Sequence, residues 1–595
     1  MPISVILAIL ASVVCPLQGT LSAQIQVSTS ARKSAPVPKS ALDSAGVFPE
    51  TTLAYAQIQP PSKIVNWLLN HPLRERIEAI PQVKSGLKSK EYAAFLAGIG
   101  FAQFYTGMEW QESLETLAGG GIAIGFDPAK EAVGAVFMSS RPDQLPKLYK
   151  GLLKLANQNE QSKVNEGEYR NQKAYAVGKQ LYLIPVKDRV FVSNKKAMVK
   201  QMLDYWLDKP AKSLASNSGF TKSTQNISNQ TAWAYANLKT IRDSGMAENL
   251  FVEKTENIGA ELLIGGVLEA TRTAKDLSAA ITLNDEGVGL SLYTSLDESQ
   301  VSPERSYFYG TSQEREEFER LKLDDSLGEI FAFRDLGKLW LSKEDLFDEN
   351  HLSELSQADS TLSTLFSGLD FGEEVLGSTE PGFQIVARNQ NYEQLETPQP
   401  DIKVPEFALV FRLKEDDRVQ RRFRVAYQSF IGFLNIQLAM QGNPQLELES
   451  EKVDGARIVS ATYLPDENKE YEGMINYNFS PTIAFADQWF IISSTKQLAG
   501  DLVVAGQRKS VTKDPQTNTS ITIYGQQAKA ILAQNAEQLI AQNMLEEGND
   551  RKEAKAQIDL LLEVVGLIKQ TSLNLKNESG RLSLNLGIQV ESSSK

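Results

Sequence analysis

The chain has 595 residues, a formal net charge of −13, 42% hydrophobic residues and 23% charged residues. That balance excludes wholesale disorder, and an acidic chain is poorly matched to nucleic acid, because phosphate binding needs concentrated positive charge. One cysteine and two histidines leave little room for thiol or imidazole chemistry.

An apolar run from Ile3 to Leu17, then Leu21-Ser22-Ala23 ahead of Gln24, has the form of a secretory signal over residues 1–23. The run is too short for a comfortable membrane span. Cys15 lies inside it, and Val14 stands where a lipoprotein would carry a small residue, so lipidation is not expected. The remaining chain is expected to hold no cysteine and to rely on its core, which its length permits. An extracytoplasmic location follows: periplasm, envelope or secreted. Residues 24–47, rich in Ser, Ala, Pro and Lys, predict a flexible spacer.

From residue 48 onward the chain is written twice. Thr52-Leu53-Ala54-Tyr55-Ala56-Gln57-Ile58, followed by a helical pattern through Trp67 and Leu68, answers to Ile330-Phe331-Ala332-Phe333-Arg334-Asp335-Leu336 with Leu339 and Trp340. Gly107-Met108-Glu109-Trp110 answers to Gly368-Leu369-Asp370-Phe371. A hairpin over Leu181 to Ser193 answers to one over Thr482 to Ser493. Near the end of each copy, two alternating runs flank a polar turn: Leu277 to Leu283 and Val288 to Leu296, against Leu573 to Leu575 and Leu582 to Val590. The expected organisation is copy 1 over 48–300, a polar junction over 301–322 and copy 2 over 323–592.

Alternation in Ala232 to Leu238 and Ser520 to Tyr524 predicts half-buried strands. Apolar spacing of i, i+3, i+4 predicts helices over Leu145 to Leu155, Ala197 to Trp206, Val419 to Leu438, Ala528 to Met544 and Ala554 to Ile568. Strands joined by tight turns cannot be parallel neighbours. The fold class is therefore α+β: two tandem homologous copies, mainly antiparallel sheets packed with long helices.

Reactive constellations are scarce. His71 and His351 lack the further ligands a zinc site needs, and no His-Glu-x-x-His occurs. No Gly-x-Ser-x-Gly elbow accompanies them to build a serine triad. Gly119-Gly120-Gly121 runs from helix to strand, the reverse of a phosphate loop, and reads as a helix stop. Glu109 with Glu112, and Asp370 with Glu373, are paired acids that acid–base chemistry could use; at helix starts they also suit capping, and Asp370 with Glu373 resembles a capping box. Asp188 and Asp487 suit hairpin tips. Arg418, Arg421, Arg422 and Arg424 form the densest basic cluster, at a helix start behind Glu415-Asp416-Asp417. Asn226-Ile227-Ser228 and Asn229-Gln230-Thr231 match glycosylation sequons. No catalytic, cofactor-binding or metal residue, and no cofactor, is assigned.

Together with the signal segment, the fold-opening Phe48-Pro49-Glu50-Thr51-Thr52-Leu53-Ala54-Tyr55, the Gly-x-acid-aromatic elements and the Asp-[Arg/Gln]-x-Phe hairpins, the chain resembles a family of large secreted bacterial proteins of unknown function. The resemblance implies an extracytoplasmic place and no established activity. The first functional reading is a non-enzymatic binding or scaffold module whose partner is an unknown protein or envelope component, with no membrane attachment beyond the signal. The alternatives are a periplasmic carrier of an amphiphile or lipid, and a carboxylate-dependent hydrolase built on Glu109 and Asp370.

Overall fold

The computed structural model describes residues 40–591 except 159, 225–229, 246–250, 252–253, 256–257, 311–313, 316–317, 395–396, 415–416, 454, 465–473, 510 and 579. The signal segment with Cys15 and the Asn226 and Asn229 sequons lie outside the described residues. The chain divides into two compact units. Unit 1 holds residues up to Met246 and Ala274–Thr294; unit 2 holds Ala247–Thr273 and Ser295–Glu591. A single boundary near residue 300 is thereby replaced by an exchange of segments around it.

Unit 1 contains β1 (Ala54–Ile58), β2 (Gly121–Asp127), β3 (Ala132–Met138), β4 (Val164–Tyr169), β5 (Gln172–Val177), β6 (Leu181–Val186), β7 (Arg189–Ser193), β8 (Ala232–Ala236), β9 (Leu277–Asn284) and β10 (Gly287–Ser295). They pair in the order β4-β5-β6-β7-β3-β2-β1-β8-β9-β10, every pair antiparallel. One face of this sheet is covered by a core that includes Tyr55, Val136, Ile184, Phe191, Met198, Met202 and Phe220. Phe48 belongs to the same core, and Ser40–Ala45 is a short helix whose Ala45 is fully buried. The spacer expected over 24–47 thus stops short of its end: residues 40–47 are drawn into the fold by the apolar Ala45, Val47 and Phe48.

Unit 2 contains β11 (Arg320–Leu321), β12 (Ser326–Ala332), β13 (Phe383–Arg388), β14 (Glu406–Arg412), β15 (Leu446–Val453), β16 (Ala456–Tyr463), β17 (Thr482–Ala486), β18 (Trp489–Ser493), β19 (Val511–Thr512), β20 (Thr517–Tyr524), β21 (Ile568–Glu578) and β22 (Arg581–Val590). β11 and β19 form a separate ribbon. The others pair in the order β15-β16-β17-β18-β14-β13-β12-β20-β21-β22, again antiparallel throughout. Taken strand by strand, this is the order found in unit 1.

The helices that matter below are, in unit 1, α1 (Pro61–Asn70), α2 (Lys90–Thr106), α3 (Trp110–Ala118), α4 (Leu145–Ala156) and α5 (Lys196–Asp208). In unit 2 they are α6 (Ile258–Thr273), α7 (Glu349–Leu365), α8 (Asp417–Gln441), α9 (Lys496–Gln507), α10 (Gly525–Gln534), α11 (Ala536–Glu547) and α12 (Arg551–Leu567). The helix expected over Ala528 to Met544 is two, α10 and α11, broken at Asn535, whose side chain bonds both backbone groups of Lys403 instead of facing solvent on a continuous helix.

The expected polar junction over 301–322 is a correction of a different kind. Arg305, Tyr307, Phe308 and Tyr309 are all buried there, packed with Ala270, Leu346 and Phe347. Flanking charges at Glu304, Glu314 and Arg315 mask a core segment.

Candidate functional site

The sequence-level candidates fall into structural roles. α1 stops at Asn70, as Pro72 requires, and His71 Nδ1 accepts the Leu73 N–H at 3.2 Å. His351 sits in the first turn of α7, its Nδ1 2.7 Å from Oδ1 of Asp348. Asp348 is the N-cap, and the His351 backbone N–H, with the imidazole second, holds its carboxyl below the usual range. Glu109 is the N-cap residue of α3 and accepts from the Gln103 amide, while Glu112 lies 3.4 Å from Arg141.

Asp370 accepts the Glu373 N–H at 2.7 Å, but the reciprocal bond to the Asp370 N–H comes from Glu374, not Glu373. The turn over Phe371–Val375 is a π-turn, with the Val375 N–H reaching Asp370 O at 3.2 Å. One extra residue per turn moves the box partner along by one. Gly107 and Gly368, which precede the two acids, both take positive φ, 62° and 85°. Asp188 pairs with Arg189 at 2.9 Å, and Asp487 turns its hairpin with φ 50°. Gly119 caps the end of α3, as a helix stop should. Among the described residues no group of three or more His, Cys, Asp and Glu is placed to hold a metal ion.

Sequence reasoning missed a buried ionic cluster in unit 2. On α6, Glu261 and Glu269 are fully buried and both bond Arg305, at 2.9 Å and 3.3 Å. Tyr307 donates its hydroxyl to Glu261 at 2.8 Å. Arg334, also fully buried, donates to the carbonyls of Leu262, Leu263 and Phe333 and to Asn518 and Thr519, with its guanidinium 3.5 Å above the Phe308 ring. Burial lowers the Arg334 pKa to about 9. The two arginines offset the two glutamates, and the cluster grips α6 by its own carbonyls. Its chemistry is that of a strut, because each charge is already met by a partner.

Unit 2 also carries a cleft of about 210 Å³ lined by Arg320, Leu323, Glu329, Phe331, Thr522 and Tyr524, among others. Arg320 lies 4.7 Å from the Phe331 ring centroid, and burial lowers its pKa.

The least expected feature is the outer face of α8. Its inner face packs Val419, Ala426, Ile431 and Leu438, with Phe423 4.5 Å from Phe490. Asn435 holds both backbone groups of Leu446, at 2.8 Å and 2.7 Å, fixing the start of β15 against the helix. The opposite stripe runs Arg418, Arg422, Val425, Ser429, Phe433, Ile436, Met440, at spacings of three or four that place these residues along one side of a helix. Phe433, Ile436 and Met440 are 61%, 60% and 78% exposed. Between Val425 and Leu446 there is no charged residue. The basic cluster noted in the sequence is the head of this stripe, and Arg418, Arg421 and Arg422 are exposed.

In unit 1, α2 behaves similarly. It is capped by Ser89, which accepts the Tyr92 N–H at 3.1 Å, and ends at Gly107. It approaches α4 so closely that a Cβ on Gly151 would lie 2.6 Å from Tyr105 O. Its far side leaves Phe101 and Phe104 62% and 80% exposed, with no charge from Tyr92 to Met108. No helix among the described residues is long and apolar enough to cross a membrane.

The chain matches the model of a family described as protein of unknown function (DUF3352), over residues 143–425. A domain of unknown function spans that stretch. The DUF3352 stretch begins just ahead of α4 and ends inside α8, at the first residue of its uncharged run. No curated protein matches the chain. Solved structures similar to it include crystal form IV of TP0453, 9% identical, covering 42% of this chain and 80% of that one with a TM-score of 0.23. Crystal form I of TP0453 is 7% identical, with 43% and 78% covered and the same score. A likeness at that score carries no argument.

Proposed function

We propose that this chain works outside the cytoplasm as a non-enzymatic binding module made of two tandem copies of one α+β unit, and that it takes its partner on the outer stripe of α8. The observation that carries this is the exposure of Phe433, Ile436 and Met440 on a helix whose other face is already packed. Contiguous apolar surface of this kind on a folded protein marks an interaction site.

The location rests on the apolar run Ile3 to Leu17 and its small-residue end. The duplication is supported by the equal strand order of the two sheets. A non-enzymatic role is supported by the commitment of Asp370, His71 and His351 to caps and turns, and of Glu109 to the Gln103 amide. The cleft of about 210 Å³ falls below the roughly 300 Å³ at which ligand pockets begin, so this cleft does not serve the amphiphile carrier.

Thiol labelling tests the reading. A Phe433→Cys variant on a Cys15→Ser background is exposed to a maleimide in intact envelopes and after purification. Protection in the envelope that disappears on purification is the expected result. Equal labelling in both would show an unoccupied stripe and sink the proposal.

A further inference from the structure

We infer that the partner of the α8 stripe is an anionic lipid surface, which α8 meets lying flat in the headgroup region; the inference rests on the binding reading above and names its partner. The sequence left the membrane aside beyond the signal segment, and the helix faces bring it back.

Charge and apolar surface are arranged in series. At the N-terminal end of α8, Arg418, Arg421 and Arg422 are exposed. They are followed by a stripe of Val425, Phe433, Ile436 and Met440 with Phe430 at its flank, all exposed. A helix that presents aromatic and aliphatic side chains beside basic ones binds at the interface by burying the former among acyl chains and pairing the latter with anionic headgroups. The uncharged run continues past the helix through Gly442, Asn443, Pro444 and Gln445, up to the exposed Glu447 of β15.

The same arrangement recurs independently in unit 1, in a helix that is not the counterpart of α8 in strand order. Lys84 and Lys88 ahead of α2 and Lys90 at its start are exposed, with the single acid Glu91 beside them, ahead of exposed Leu96, Phe101 and Phe104. Lys147, Lys150 and Lys154 on the neighbouring α4 are exposed too. In a chain of net charge −13, two basic ends, each leading into an uncharged exposed helix face, are the charge complement of an anionic surface. α7, which stands between β12 and β13 as α2 does between β1 and β2, carries Glu349, Glu354 and Asp359 instead and is given no such role.

The test is flotation of the purified full chain with vesicles of phosphatidylcholine alone and with about a third phosphatidylglycerol. Because the run Ile3 to Leu17 adds the same background to every variant, the readout is the difference between variants. The expected result is binding above that background that needs the anionic lipid and weakens as salt rises. Arg421→Glu with Arg422→Glu should lower it by at least tenfold, about fivefold per charge removed. Phe433→Glu with Ile436→Glu should lower it at least as far, and Phe101→Glu with Phe104→Glu should act separately. These side chains are exposed, and unchanged thermal unfolding confirms intact variants. Equal flotation of wild type and variants overturns the lipid inference. Should Phe433→Cys nevertheless be protected in the envelope, the binding reading survives with a protein partner. A concentration-dependent dimer in sedimentation, abolished by Phe433→Glu, would assign the stripe to a second copy and likewise overturn it.

Discussion

Arg305 holds Glu261 through two parallel hydrogen bonds, Nε to Oε1 at 2.9 Å and Nη2 to Oε2 at 3.1 Å, with both residues almost wholly buried. This fork ties the segment Pro303–Phe308 to α6, and Glu269 takes up a third donor of the same guanidinium at 3.3 Å. Removing the cation would strand two buried carboxylates. Arg305→Met is therefore expected to destabilise unit 2 by about 3–5 kcal/mol. Urea unfolding followed by tryptophan fluorescence checks it, and a loss below about 1 kcal/mol would mean that the cluster is solvated.

Alkaline pH should weaken unit 1 through Tyr235. Burial, with Asp276 adding to it, raises this phenol from 10.0 to about 12. The folded state then keeps its proton where the unfolded chain has lost it. The contribution is fully present below about pH 10 and is lost as pH rises towards 12. Tyr235→Phe removes the titration, so the fall in stability between those limits should be shallower than in wild type.

The paired turns give a cleaner contrast. Asp370→Ala should cost about 1 kcal/mol, the usual worth of an N-cap. Gly368 has φ 85° and nothing within 4 Å of an added Cβ, so Gly368→Ala should cost about 1–2 kcal/mol from backbone strain alone. Calorimetric midpoints of the two variants would separate these effects, and an unchanged midpoint for Gly368→Ala would count against the left-handed turn.

Phe48 is fully buried, and its ring lies so close to Gly125 that a Cβ there would fall 2.5 Å away. Phe48→Ala should cost about 3–5 kcal/mol as an unfilled cavity. A chemical denaturation series that shows no loss would return residues 40–47 to a spacer.

Alternation about a polar turn made the hairpin β9–β10 legible, and recurrence in the two copies made β6–β7 and β17–β18 legible, although β17 is buried on both faces. Asp370 was legible as a cap from its local sequence, whereas Glu109 holds the N-cap position without a side-chain bond to the helix. Three features were not. β4 (Val164–Tyr169) is an edge strand with exposed Asn165, Glu166 and Glu168, so pairing with β5 makes it a strand and its composition gives no sign. Tyr307-Phe308-Tyr309 is too short for a period to emerge from its charged surroundings. Most telling is α8: apolar residues recur at helical spacing on both its sides, and periodicity alone cannot say that Ile431 is covered while Phe433 is bare. Only the sheet, arriving from β15 to β17, decides which side is core. The ionic cluster was illegible because its charges come from three separate segments, Glu261 and Glu269 from α6 and Arg305 and Arg334 from two others, none of which looks unusual.

The assignment of α6 has an outcome for anyone who cuts this chain. Its helix belongs to unit 2, yet it is threaded between β8 and β9 of unit 1. A fragment ending before it forfeits β9 and β10. One ending after them carries Glu261 and Glu269 away from Arg305. No single scissile position yields two intact halves, and each unit matures only when the ribosome has released residues from the other.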